Sequence, residues 1–318
     1  MKPFFKVIRI KNLLMIALLQ VLINVCLVHP ILTLYELEPT FTVLDFVFLV
    51  SATVMIAAGG YIINDYFDAK SDMINRPDNV VVGTDVSRGN ALAWHLGLNI
   101  AGCILGAMVS LRIGVWVFSL FYPFVSGLLW FYSSSYKKTF LLGNVIVAVL
   151  TGMIPLLPVA YEIPGQMVTD NEMVVNGLYD LNILFYWAGG FGIFAFVTTI
   201  FREIIKDIED IEGDREIGRN TVPVVIGVMA SKIVVVVLIA CTIAALAVVW
   251  HKFLNDTLSA VYFGVMLVLP MIFLSYKVLV MKEKKEYRFA SSLAKIIMLA
   301  GILFLFVVRY NLLSLLDD

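Results

Sequence analysis

Nine stretches of this chain stay apolar for roughly 17–25 residues, the length that crosses a bilayer core as a helix. They fall at 13–34, 44–63, 91–111, 114–132, 141–161, 183–201, 233–250, 258–276 and 293–313. In lipid every backbone N–H and C=O must find a partner inside the protein, and a single segment does so only as a helix. The sequence therefore predicts an all-α polytopic membrane protein with nine transmembrane helices. Composition agrees, with 61% hydrophobic residues, 15% charged and a mean hydropathy of +0.93. The basic start Met1-Lys2-Pro3-Phe4-Phe5-Lys6 before the first run has the outline of a signal peptide. That run is too long, and no small-residue cleavage pattern follows Leu27-Val28-His29-Pro30, so it reads as a retained membrane helix. The fifth run holds Pro155 and Pro158 and is expected to kink near its far end.

Charge tests the count of nine. The net charge of −1 hides a strong sorting of Lys and Arg. With nine spans, the N-terminus and the loops after spans two, four, six and eight share one side. All of the 23 basic residues fall there except Arg112, Lys252 and Arg309. Basic residues stay cytoplasmic, and a wrong count would scramble this split. The expectation is a protein of the cytoplasmic membrane with a cytoplasmic N-terminus and an external C-terminus. The loop 162–180 carries acids and no Lys or Arg, as an external loop should. Loops two and six mix acids and bases, which places the chemistry there. Cys26, Cys103 and Cys241 lie inside apolar runs and His29, His95 and His251 are scattered, so no disulfide, zinc site or triad is expected.

The second run passes directly into Asn64-Asp65-Tyr66-Phe67-Asp68-Ala69-Lys70-Ser71-Asp72. Asn64, Asp68 and Asp72 are four residues apart and drift only about 40° per step round a helix, so they line one face. Three oxygen-bearing side chains where a helix leaves lipid are costly unless a cation neutralises them. Mg²⁺ does this with one or two carboxylates and phosphate oxygens. A solvated helix end with ordinary acids is the competing reading. The sixth run leads into a second cluster, in which Glu203, Asp207, Asp210 and Asp214 recur at helical spacing, with Ile204, Ile205, Ile208 and Ile211 on other faces. One continuous amphipathic helix is expected there.

The two clusters align. Asp68 and Asp210 are 142 residues apart, as are Asp72 and Asp214. Ser135-Tyr136-Lys137 recurs as Ser275-Tyr276-Lys277. The chain thus reads as one domain over 1–318 built from two four-helix repeats, about 1–140 and 141–285, with a ninth helix added. Repeats of this kind place sites at their interface. Transport of a divalent cation or organic anion is the rival use of such acids, but transport sites lie near the midplane. Here the span middles hold no Asp, Glu, Lys or Arg, and Asn24 is the main polar candidate.

These residues carry a family resemblance. Asn64-Asp65-x-x-Asp68-x-x-x-Asp72 matches the N-D-x-x-D-x-x-x-D motif of the UbiA superfamily of intramembrane prenyltransferases, and Asp210-x-x-x-Asp214 matches its second motif, with Asp207 a turn upstream. Arg9-x-x-Asn12, Asn75-Arg76-Pro77 and Tyr136-Lys137 resemble further segments of that family, and the likeness covers essentially the whole chain. It implies a UbiA-like fold and transfer of a prenyl group from a prenyl diphosphate to a lipid-soluble acceptor in the membrane, with Mg²⁺ and no nucleic acid. It implies that Asn64, Asp68 and Asp72 hold one ion and Asp210, Asp214 and Asp207 another. Asp68, Asp72, Asp210, Asp214 and Lys137 would be catalytic. Arg76, Lys137 and Lys206 would meet the diphosphate, and Arg9, Asn12, Tyr136 and Arg202 would join them in binding substrate. Tyr66, Phe67, Phe131 and Tyr132 are aromatic faces that could steady an allylic cation.

The stretch Arg202-Glu203-x-x-Lys206-Asp207-x-x-Asp210-x-x-Gly213-Asp214, followed by Gly218-Arg219-x-Thr221-x-Pro223, looks most like the branch that makes digeranylgeranylglyceryl phosphate. Its acceptor is geranylgeranylglyceryl phosphate; aromatic quinone precursors are the alternative acceptor class. Arg9, Lys11, Arg202, Lys206, Arg215 and Arg219 are expected to be more cations than one diphosphate needs, and so to suit an acceptor that bears a phosphate. The D-G-x-x-A-R pattern of CDP-alcohol phosphotransferases is absent.

Overall fold

The computed structural model describes residues 2–168 and 180–317, so most of the 162–180 loop lies outside the described residues. Those described form helices and no strand. In chain order they are α1 (Lys2–Val7), α2 (Ile10–Leu34), α3 (Val43–Asn75), α4 (Arg88–Ile113), α5 (Trp116–Ser134), α6 (Leu142–Met153), α7 (Leu156–Val168), α8 (Asn182–Glu209), α9 (Ile211–Glu216), α10 (Val222–Ile226), α11 (Val228–Leu254), α12 (Thr257–Val280) and α13 (Lys284–Ser314). Eight of these are long and apolar enough to cross a membrane, and α6 with α7 makes a ninth if that broken pair is one span. The break falls at Ile154-Pro155, where proline removes an N–H and its ring displaces the preceding turn.

Two compact units emerge: residues 1–136, 153–189 and 312–318 form one, and 137–152 with 190–311 form the other. In the first unit, Thr42 and Asp45 start α3 with a reciprocal capping box. Asp45 also pairs with Arg112 at the end of α4. The packing of α4 requires glycine at Gly106, where an added Cβ would lie 2.2 Å from the Tyr122 ring. That ring is held by Tyr161, whose hydroxyl meets those of Tyr122 at 3.2 Å and Ser110 at 2.8 Å. Deeper between α3 and α4, His95 Nδ1 lies 2.9 Å from the Gly59 carbonyl. The same nitrogen lies 3.1 Å from Asn99 Nδ2.

In the second unit, Tyr262 donates to the Ala300 carbonyl at 2.7 Å and ties α12 to α13. The link between them is held by Lys232, which donates to the Met281 carbonyl and lies over the Tyr287 ring. Proline also shapes two spans. The π-turns Asn24–Val28 in α2 and Phe263–Val268 in α12 each stand just before a proline, Pro30 and Pro270. Widening the helix there accommodates a ring that would otherwise strike the carbonyl four residues back.

Two of the long helices lead to the acids. With 33 and 28 residues, α3 and α8 are about 50 and 42 Å long, against a hydrocarbon core of about 30 Å. The last turns of α3 carry the first acidic motif, and α8 leads into the second.

Candidate active site

The last turns of α3 present the first motif. Asn64 and Asp68 are buried, at 7% and 3% exposure, and Asp72 is half-buried. Asn64 Nδ2 donates to Asp68 Oδ2 at 2.9 Å. Ser71 and Asn75, also buried, continue the same face. The helix stops at Asn75 because Pro77 disfavours helical backbone at Arg76, which sits at φ −152° and ψ 63°. Arg76 N donates to the Asp72 carbonyl at 2.7 Å, so this cation follows the motif directly, as the sequence implies.

Helix α2 meets the motif from the side. Arg9 Nη2 pairs with Asp65 Oδ1 at 2.7 Å, and its guanidinium lies 5.2 Å from the centre of the Tyr61 ring. Asn12 Nδ2 reaches the Tyr61 hydroxyl at 3.4 Å. Burial alone would lower the Arg9 pKa; Asp65, Tyr61 and Asp68 outweigh it and raise the pKa. Tyr61 lies seven residues before Asp68, almost two full turns, and so shares its face.

The second motif departs from expectation. Rather than one continuous helix, α8 ends at Glu209 and the chain bends at Asp210, at φ −99° and ψ 6°, before α9 carries Asp214. Asp and Gly are poor helix formers, and Asp210 and Gly213 stand at the bend. Backbone bonds still cross it, Asp210 N to Lys206 O at 3.0 Å and Asp214 N to Asp210 O at 3.1 Å, so Asp207, Asp210 and Asp214 remain within successive turns. Asp214 is buried and takes a bond from Arg219 Nη1 at 3.3 Å. Gly218, at φ +72°, turns the chain back to make this contact, a conformation that favours glycine. Asn144 of α6 donates to Asp207 Oδ2 at 2.8 Å. Asn220 N donates to the Lys138 carbonyl at 2.9 Å, which brings the turn Tyr136–Lys138, and with it Lys137, beside the chain that follows the motif.

Two further expectations change. Tyr66 and Phe67 stand about 200° and 100° round the helix from Asp68. They pack on Arg88 and Trp130 rather than beside the acids. Phe131 stacks near Tyr136 at 6.4 Å. The surplus of cations shrinks, because Arg9, Arg202 and Arg219 pair with Asp65, Glu203 and Asp214. Tyr61, Asp65 and Asn144 were not singled out by the sequence. For Asp65 the signal was present: it lies 142 residues before Asp207, so both motifs read D-x-x-D-x-x-x-D.

The donors fit a hard divalent cation, being oxygens only. Among the described residues no three His, Cys, Asp or Glu side chains group closely enough to hold a metal alone. Two carboxylates per motif suit an ion that takes the rest of its shell from phosphate oxygens and water, as Mg²⁺ does.

The model of the UbiA prenyltransferase family matches residues 21–311. The digeranylgeranylglyceryl phosphate synthase of Methanobrevibacter smithii is 30% identical over 85% of this chain and 86% of its own length. That of Methanosphaera stadtmanae is 31% identical over 90% and 91%. Among solved structures, a digeranylgeranylglyceryl phosphate synthase superposes with a TM-score of 0.60 at 20% identity, covering 95% of this chain and 97% of that one. A UbiA homologue from Archaeoglobus fulgidus bound to DMAPP and Mg²⁺ gives 0.55 at 14% identity, covering 96% and 99%.

Proposed function

This chain belongs to the UbiA prenyltransferase family, and on that footing we propose that it transfers a geranylgeranyl group from its diphosphate to an oxygen of geranylgeranylglyceryl phosphate. One observation carries the reaction class: two D-x-x-D-x-x-x-D motifs stand at the ends of α3 and α8, the second running on into α9, and each holds a buried carboxylate, Asp68 and Asp214. The acceptor rests on the relatives, which are digeranylgeranylglyceryl phosphate synthases at 30–31% identity over most of their length.

Asn64, Asp68 and Asp72 would hold one Mg²⁺, and Asp210 and Asp214 a second, with Asp207 beside them. When bound, the ions supply charge that stabilises the departing diphosphate. Asn64 keeps the Asp68 carboxylate in one orientation. Arg76, Lys137 and Lys206 neutralise diphosphate oxygens that the ions leave uncovered, the electrostatic term that lowers the barrier to C–O cleavage. Tyr61, on the acid face, is the aromatic ring placed to meet the allylic end of the chain. Arg9, Asn12, Tyr136 and Arg202 border the bound substrates. The charge sorting supports a cytoplasmic site, a cytoplasmic N-terminus and an external C-terminus.

The test is diphosphate release by the purified protein in detergent. Release should need geranylgeranyl diphosphate, geranylgeranylglyceryl phosphate and Mg²⁺ together. Undiminished release in excess EDTA would rule out the metal-dependent reading.

A further inference from the structure

The internal repeat extends beyond the acids. In the first half, Arg9 stands immediately before α2 in left-handed backbone, at φ 53° and ψ 54°. In the second, Leu141 stands immediately before α6 at φ 60°. Neither is glycine, and such backbone is uncommon and strained outside glycine. Three residues on, both helices carry an asparagine, Asn12 and Asn144. Both entering helices donate hydrogen bonds into the turn that opens their half's acidic motif. Asn144 bonds Asp207 Oδ2 at 2.8 Å. Asn12 bonds Tyr61 at 3.4 Å, and Arg9 takes Asp65 at 2.7 Å. Asp65 and Asp207 are the first acids of the two matching motifs.

We infer that Arg9 and Asn144 play the same positioning role from different positions in their helices. Each anchors the first carboxylate of a D-x-x-D-x-x-x-D motif to the first membrane helix of its own half. Asp65 and Asp207 are then anchor points, not metal ligands, and the ions fall to the second and third acids. The inference rests on the metal-dependent reading above and narrows it. Each anchored carboxylate opens its motif three residues before the acid assigned to the ion. Its anchored turn fixes the backbone from which Asp68 or Asp210 projects three residues later. Partners bonded directly to metal ligands typically change metal affinity about 10- to 100-fold when removed, and residues acting one step further out fall at the low end of that range.

The test uses Mn²⁺ as a paramagnetic substitute, titrated into the full-length protein with inorganic diphosphate and followed by EPR. Asp207→Asn keeps an acceptor for Asn144 and should bind Mn²⁺ within about twofold of the unaltered protein. Asp210→Asn should lose an ion. Asn144→Ala should bind about tenfold more weakly while its thermal unfolding in detergent stays unchanged. Asp65→Asn should behave as Asp207→Asn does. The inference is overturned if Asp207→Asn weakens Mn²⁺ as much as Asp210→Asn, or if Asn144→Ala binds as the unaltered protein does. If Asn144→Ala fails to fold, Asp207→Asn still decides between anchor and ligand. Normal Mn²⁺ binding without prenyl transfer would instead count against the proposed function and leave the anchoring intact.

Discussion

Asp68 sits where α3 has outrun the bilayer, buried, with the Asn64 amide on one oxygen and Asp72 one turn further. A carboxylate in that position is stable as an anion only with a cation nearby. Asp68→Asn and Asp214→Asn should therefore each slow Mg²⁺-dependent diphosphate release by about a hundredfold or more, with helical content by circular dichroism unchanged. Rates near those of the unaltered protein would remove both from the reaction. The first motif was legible because its spacing alone places three side chains on one face. Pairings such as Arg9 with Asp65 were not, since they depend on which helix packs beside which. Tyr66 and Phe67 lie off the acid face for a simpler reason. Neighbours in sequence are not neighbours on a helix face.

At the scale of elements, apolar length and proline predicted the spans and the break in the fifth. The bend at Asp210 escaped because periodicity continues through it unbroken. Helix contacts make firm predictions. Gly106→Ala puts a methyl into a ring that Tyr161 holds in place, and should destabilise the protein by about 1–3 kcal/mol in a detergent melt. Gly127→Ala, with nothing within 4 Å of the added carbon, should not. Asp256 caps α12 by accepting from Ser259 N at 2.8 Å. Burial raises its pKa, but the Ser259 bonds and others outweigh it and hold it below the ordinary carboxylate value. Its contribution is thus complete above the unfolded pKa and is lost as pH falls through the folded one. Removing the cap with Asp256→Ala should cost about 1 kcal/mol at neutral pH and less in acid. An equal cost at both would contradict this role.

For the whole molecule, nine apolar runs and the sorting of Lys and Arg convey the architecture. The two acidic motifs share one spacing, 142 residues apart, although the asparagines Asn12 and Asn144 lie outside that register. The proposed orientation rests on the sorting of charge. With the native cysteines replaced, a cysteine at Lys252 should label from outside intact cells and one at Lys285 only after permeabilisation, and the reverse would invert the topology. The identity of the acceptor is the central claim. It is tested most directly by giving the purified protein geranylgeranyl diphosphate and Mg²⁺ with equal amounts of geranylgeranylglyceryl phosphate and 4-hydroxybenzoate, then weighing the products by mass spectrometry. Digeranylgeranylglyceryl phosphate, with no prenylated benzoate, is the predicted result. Prenylated benzoate without the ether lipid would contradict it.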